Sequence, residues 1–336
     1  MIREYLKLSR SFNAVLTGIS PVMGAIAMNQ IDIVSLILLF FVGFFGHTFG
    51  FVFNDIMDYN IDKSSREISD RPLISGSISK RNAWMFAMLS MALSFLIAIY
   101  LSVTTGHYVP LIILAISAGF IVLYDLISKK FPFTDIFVAI GIFFLVLYGA
   151  MTVTDSTLQI SPITWFVCVL GAIQVLFMQI VAGGMKDIEN DYKRGAKTLA
   201  IAMGVRVIEG KLLVSMSYKA LAFFIQLIDL ILVFLPFFIV REFQNVTLLT
   251  YGQWIVLILV GLLMFFLSYR LLSMTHFNRV KARKLIGSHY MVNFTLVPIM
   301  LMTLNPWAGI LVFFPAIGFV LSNLIVHRTL LQPKTM

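Results

Sequence analysis

Three carboxylates, Asp55, Asp58 and Asp62, close a run of sequence that is otherwise almost wholly apolar. If the run is helical, their offsets of three, four and seven residues put all three on one face, with Asn54 on its border. Carboxylates that close repel one another and are costly to desolvate. A bound divalent cation is the simplest thing that makes the arrangement tolerable. A second group follows at Asp187 and Asp191, four residues apart and again on one helical face. Asp55-Ile-Met-Asp-Tyr and Asp187-Ile-Glu-Asn-Asp-Tyr read as a weak internal repeat, which predicts that the two groups face each other across one cavity. Five aspartates with basic residues beside each group suit a diphosphate. Mg²⁺ takes oxygen ligands, usually one or two carboxylates plus substrate phosphates, and Arg and Lys neutralise what phosphate charge is left. An EF-hand is excluded, since its ligands alternate through a loop that ends in Glu.

The elements that must position these groups are membrane helices. The chain is 60% hydrophobic and 12% charged, with 31 Phe and 18 Met, and a soluble domain is nearer a quarter charged. Apolar runs of bilayer-spanning length recur throughout. We read an all-α polytopic bundle, nine or ten spans around a central chamber, as one integral-membrane domain over 1–336 with its chemistry in loops 54–82 and 185–211. Spans are expected near 12–28, 33–53, 83–104, 108–127, 134–152, 163–184, 212–239, 251–273, 286–304 and 307–327. Only Asn305-Pro306 separates the last two, which read as two spans or as one with a broken, partly re-entrant partner. No small-residue cleavage site follows the basic start, so the first span reads as retained. Cys168 lies within an apolar run and no second cysteine exists to pair with it.

Charge orients the spans. With an even count, the N-terminus, the loops after even-numbered spans and the C-terminus share one side. That side holds Arg3, Lys7, Arg10, Lys63, Arg66, Arg71, Lys129, Lys130, Lys186, Lys193 and the Arg279–Lys284 group, whereas the other side has only Arg241. By the positive-inside rule the first side is cytoplasmic. The formal charge of +9 is therefore mainly topological and does not indicate a nucleic-acid partner. Both aspartate groups end even-numbered spans, so the chemistry is expected on the cytoplasmic face of an integral protein of the cell (plasma) membrane.

At these residues the chain resembles the UbiA-type intramembrane prenyltransferases. That family's first signature, Asn-Asp followed by two aspartates, then Arg-Pro-Leu and a small-residue turn, reads here Asn54, Asp55, Asp58, Asp62, Asp70-Arg71-Pro72-Leu73 and Gly76. Its second reads Asp187, Asp191, Gly195, Thr198 and Leu199, and Tyr124 with Lys129-Lys130 is similar to the tyrosine and basic pair found between them. The resemblance covers residues 5–210; a count of ten spans departs from the family's usual nine. It implies that an isoprenyl diphosphate binds through Mg²⁺ bridging both groups, that its allylic C–O bond ionises, and that a lipophilic acceptor attacks in a chamber kept dry. The acceptor class stays open between an aromatic quinone precursor and a prenylated glycerol phosphate.

The roles expected are Asp55, Asp58, Asp187 and Asp191 as metal ligands, with Asp62 a ligand or the holder of a Lys or Arg. Asn54 hydrogen-bonds the diphosphate or a metal-bound water. Arg71, Lys186, Lys129, Lys130 and Arg66 clamp the diphosphate, and Tyr124 hydrogen-bonds near it as it leaves. His47, Gln179 and Asn13 lie inside spans, where a polar group touches the acceptor or makes an interhelical hydrogen bond. Gly46 and Gly50 read as a close-packing pair. Two other classes were weighed. A phosphatidyl-type alcohol transferase lacks its Asp-Gly and Ala-Arg signature here. A cation-coupled transporter places ionisable residues near the midplane, and the span centres read as free of charge.

Overall fold

Side-chain caps fix where the helices begin. Asp32 Oδ2 accepts the Ser35 N–H at 2.8 Å and opens α3 (Ile33–Met57). Ser79 opens α4 (Lys80–Thr105), and Gly106 at φ 76° closes it. Each satisfies backbone groups that a helix end leaves orphaned. Ahead of them lie α1 (Ile2–Leu8) and α2 (Ser11–Ala27). After them come α5 (Val109–Ile127), α6 (Asp135–Met151), α7 (Pro162–Lys186), α8 (Met216–Ile239) and α9 (Leu248–Leu272). The chain finishes with α10 (Arg279–Asn293), α11 (Leu296–Leu301) and α12 (Pro306–His327). This computed structural model describes residues 1–63, 69–128 and 131–330, with every side chain but those of Ile61, Asp62 and Arg194.

Seven of these helices are continuous and apolar over at least 18 residues, and α2 and α6 are shorter apolar helices. The expected single helix over 286–304 is instead a broken pair. Pro298 has no N–H to give the Phe294 carbonyl, and the helix stops at Asn293 and restarts at Leu296. The pair still crosses the bundle. Arg279 at its start touches Asp187, and Ile299 near its end accepts from Gln253 Nε2 at 2.9 Å, close to the start of α9. Arg3 Nε donates to the Val326 carbonyl at 2.9 Å, so α1 and the C-terminal turn of α12 lie at the same end of the bundle. Among the described residues this fits an even number of crossings, which eight helices, the broken pair and α12 supply.

The helices pack at backbone range where side chains are absent. A Cβ on Gly24 would run into the Val146 carbonyl, and one on Gly149 into that of Pro21, so α2 and α6 meet through glycine. The expected pair does this in part. A Cβ on Gly50 would come within 3.0 Å of Ile121 Cγ2 on α5, whereas one on Gly46 would meet nothing closer than Ser94 Oγ at 3.8 Å, and both form part of a cavity wall. An apolar core including Tyr148, Met151, Leu170 and Leu301 fills the end of the bundle away from the aspartates. Leu89, Leu96 and Val103 on α4, and Ile255, Leu259 and Phe266 on α9, face outward and exposed, as in a protein solvated by lipid. The chain is an integral membrane protein.

One piece departs from all-α. Residues 212–215, expected within a span, lie before α8. Strands β1 (Arg206–Ile208) and β2 (Lys211–Leu213) pair antiparallel through Glu209 and Gly210, both at positive φ, the backbone that a two-residue hairpin turn needs. Val207 and Leu212 point inward while their neighbours are exposed, the period of two of a strand. Leu212 N–H donates to the Thr275 carbonyl at 2.9 Å, tying the hairpin to the α9–α10 loop.

Candidate active site

A cavity of about 320 Å³ opens at the aspartate end. Asn54, Asp58 and Arg71 come to its wall from the first group, and Lys186, Asp187 and Asp191 from the second. The two groups share one cavity, as their repeat predicts. Further along the helices the wall turns apolar, with Phe95, Leu114, Ile142 and Leu145.

In the first arm α3 runs to Met57, and Asp58 caps it with its N–H on the Asn54 carbonyl at 2.9 Å. Asp58 faces the cavity; Asp55, 5% exposed, does not line it. Arg10 Nη2 donates to Asp55 Oδ1 at 2.7 Å, and Arg71 Nη1 lies 3.5 Å from the same oxygen. Arg10 sits at the break between α1 and α2 with φ 45°, and its guanidinium lies over the Phe51 ring at 4.7 Å. Asn54 Nδ2 donates to Asp125 Oδ1 on α5 at 3.0 Å.

The second arm is built on a widened turn. Over Met178–Gly183 the helix hydrogen-bonds to the fifth residue instead of the fourth, a feature common at functional sites. The chain then breaks at Asp187 and restarts as a short helix, Ile188–Arg194. The expected stripe from Gln179 through Gly183 to Asp187 assumed unbroken 3.6-residue periodicity. The wide turn shifts that register, yet all three residues line the cavity. Asp187 accepts a hydrogen bond from Arg279 Nη2, and Lys186 Nζ lies 3.5 Å from its other oxygen. Burial alone would raise the Asp187 carboxyl, but Lys186, then Arg279 and Arg71, outweigh it and hold it at about 2.

Among the described residues no three His, Cys, Asp or Glu side chains close around a common point. Tyr124 lines the cavity. The side chain of Asp62, and the whole of Arg66, Lys129 and Lys130, lie outside the described residues. His47 makes an interhelical hydrogen bond, Nδ1 to Thr17 Oγ1 at 2.7 Å, and with Asn13 also lines the cavity. Arg10, Arg279 and the cavity-lining Asp125 are not visible as site residues in the sequence. The two arginines read there as orientation charges, and the available signal is the Ser-Arg-Ser break before the first span and the basic start of α10. The span centres are not free of ionisable residues either. Asp229 on α8 is 2% exposed, beside Gln174 of α7, and it lies outside the cavity wall.

Comparison with known proteins agrees with this geometry. The model of the UbiA prenyltransferase family matches residues 14–294. Digeranylgeranylglyceryl phosphate synthase of Saccharolobus solfataricus is 28% identical, over 74% of this chain and 88% of that protein. The enzyme of the same name from Thermococcus gammatolerans is 31% identical, over 61% of this chain and 71% of its own. In fold, a UbiA homolog from Archaeoglobus fulgidus, solved bound to GPP and Mg²⁺, superposes with a TM-score of 0.62 at 16% identity, over 90% of this chain and 99% of that one. The match covers most of the chain and both aspartate groups, and the chain belongs to the UbiA prenyltransferase family.

Proposed function

We propose that this protein transfers the prenyl group of an isoprenyl diphosphate to the hydroxyl of a prenylated glycerol phosphate, releasing diphosphate. The observation that carries this reading is one cavity with Asp58, Asp187, Asp191, Arg10, Arg71 and Lys186 at its mouth and an apolar wall beyond them. A diphosphate needs the first and a prenyl tail the second. The name shared by the relatives favours a glycerol phosphate hydroxyl over an aromatic ring.

Mg²⁺ fits the donor set. The mouth offers carboxylate oxygens from two arms and, among the described residues, no cysteine, and the lack of a three-carboxylate cage among those residues suits an ion that completes its coordination with phosphate oxygens and water. Asp58, Asp187 and Asp191, which line the cavity, would hold it directly and Asp55, set back behind Arg10 and Arg71, through water, with Asp62 beside them. When bound it supplies charge neutralisation for the diphosphate. Arg71 and Lys186, joined by Arg10, clamp the diphosphate oxygens; Arg66, Lys129 and Lys130 add to that clamp in this reading. Tyr124 donates a hydrogen bond to the departing group, and Asn54 holds its neighbour in place. The apolar wall excludes water that would otherwise trap the allylic cation. Residues 1–336 act as one catalytic domain with loops 54–82 and 185–211 at its working end. The basic excess at that end supports a cytoplasmic orientation in the plasma membrane.

The test is an acceptor screen with the protein in lipid nanodiscs, radiolabelled geranylgeranyl diphosphate and Mg²⁺. Geranylgeranylglyceryl phosphate, 4-hydroxybenzoate, dihydroxynaphthoate and homogentisate are offered in turn. A Mg²⁺-dependent ether lipid from the first is the expected result. Product from an aromatic acceptor alone overturns the acceptor, and no product from any of them across several tail lengths overturns the reaction.

A further inference from the structure

The cavity holds one buried carboxylate that the diphosphate site leaves unused. Asp125 lies in the last two turns of α5, lines the cavity and is 6% exposed. Its two oxygens differ. Oδ1 accepts the Asn54 amide at 3.0 Å, whereas Oδ2 is buried with no partner. Leaving a buried acceptor unsatisfied is costly, and here the unsatisfied atom belongs to a side chain on the cavity wall. Asp55 is gripped by Arg10 and Arg71, and Asp187 by Lys186 and Arg279. Asp125 pairs with no cation among the described residues.

We propose that Asp125 is the catalytic base that takes the proton of the attacking hydroxyl. This rests on the prenyl-transfer reading above and adds to it the chemistry of the acceptor. A carboxylate anchored through one oxygen, with the other unpartnered, on a side chain that lines the cavity is placed to serve as a general base. Its position also fits. Its hydrogen bond to Asn54, one residue before Asp55, sets it beside the first arm. Asp135 at the start of α6 also lines the cavity, but only Asp125 is held in a fixed orientation by a residue of the first arm.

In the step itself, the bond from prenyl C1 to the diphosphate oxygen breaks and its electron pair leaves with the diphosphate. A lone pair of the acceptor hydroxyl forms the new C–O bond to C1. The hydroxyl proton passes to Asp125 Oδ2, and leaves to water when product departs. An alkyl hydroxyl that has attacked is a strongly acidic oxonium and needs this outlet, because the dry chamber supplies no bulk water to take the proton. Asn54, through its hydrogen bond to Oδ1, is the positioning residue.

The test compares wild type, Asp125→Asn and Asp125→Glu, each purified in nanodiscs. Titration with an isoprenyl thiodiphosphate and Mg²⁺ reports folding and donor binding. The expected result is donor affinity unchanged within about twofold in Asp125→Asn, kcat with the hydroxyl acceptor down by about 10²- to 10⁴-fold, and partial recovery in Asp125→Glu. The decisive readout is a thiol analogue of the acceptor, whose proton leaves without a strong base. With it, the gap between wild type and Asp125→Asn should shrink to under about tenfold. Equal losses with hydroxyl and thiol acceptors, or Asp125→Asn turning over like wild type, overturn the base. If Asp125→Asn binds no donor, Asp125→Glu decides: an equal loss with both acceptors again overturns it. Wild type making no ether from any hydroxyl acceptor is a different failure, that of the underlying function.

Discussion

Asp55 and Asp187 hold corresponding places at the ends of α3 and α7, and each is gripped by two cations. Their surroundings differ. The Asp55 side chain is 6% exposed and turned off the cavity, with Arg10 and Arg71 closing over it. The Asp187 side chain is 23% exposed and on the wall, with Lys186 beside it and Arg279 reaching in from 92 residues later. The first arm uses a buried carboxylate to fix cations at the cavity mouth; the second uses cations to fix a carboxylate that stays accessible. A repeated motif has thus been put to two uses, and the partners outside the motif make the difference.

Several substitutions would break or sharpen that contrast. The largest effect is expected for Asp58→Asn and Asp191→Asn, which line the cavity in the first and the second arm. Each should lower kcat/KM by at least about 10²-fold in the prenyl-transfer assay while the protein stays folded, and a large loss in only one would mean that the arms do not share one substrate. Asp55→Asn and Asp187→Asn should also abolish turnover, and near-normal activity in both would remove these aspartates from the site.

Next in size come the clamps. Removing one partner of a buried ion pair costs about 3–5 kcal/mol, so Arg10→Gln should markedly lower the thermal unfolding midpoint in detergent. Arg279→Gln should lower it less, because Asp187 keeps Lys186 and is more exposed. The reverse order would invert the assignment of buried and accessible arms.

A smaller effect concerns pH. The Asp187 carboxyl is depressed in the folded protein to about 2 from an ordinary value of 3.8. A depressed acid stabilises the fold above its unfolded value and loses that contribution as pH falls through the folded one. Wild type should therefore lose stability between about pH 4 and pH 2, and Arg279→Gln should lose less of it over the same window, as followed by thermal unfolding. Smallest in energy is topology: reporters fused at either terminus should both read cytoplasmic, because the Arg3–Val326 contact puts the two ends together. Opposite sides would mean an odd number of crossings.

Most of the architecture was legible because it follows from local pattern. Nine of the ten expected spans match apolar helices to within a few residues, since bilayer length and hydropathy alone decide them. The ninth was harder because Pro298 acts on one hydrogen bond without altering hydropathy. The hairpin over 206–213 was hidden for a similar reason, its alternation being only three residues long on each strand. Within the site, the helical spacing exposed both aspartate groups and the shared cavity. It could not show that Arg10 and Arg279 belong there, because a charge that orients a span and a charge that closes on a carboxylate look alike until distant segments are brought together. Asp125 and Asp229 were overlooked because each sits alone in an apolar run, and only the structure gives one of them a cavity and the other none.

The central claim is that the two arms act on one diphosphate. The most direct measurement is the affinity of an isoprenyl thiodiphosphate for wild type, Asp58→Asn, Asp191→Asn and the double variant, each with and without Mg²⁺. If the arms form one site, either single substitution should remove most of the Mg²⁺-dependent affinity, and the double variant should lose little more than the worse single one. Independent, additive losses, or a single variant that keeps the full Mg²⁺ effect, would contradict it.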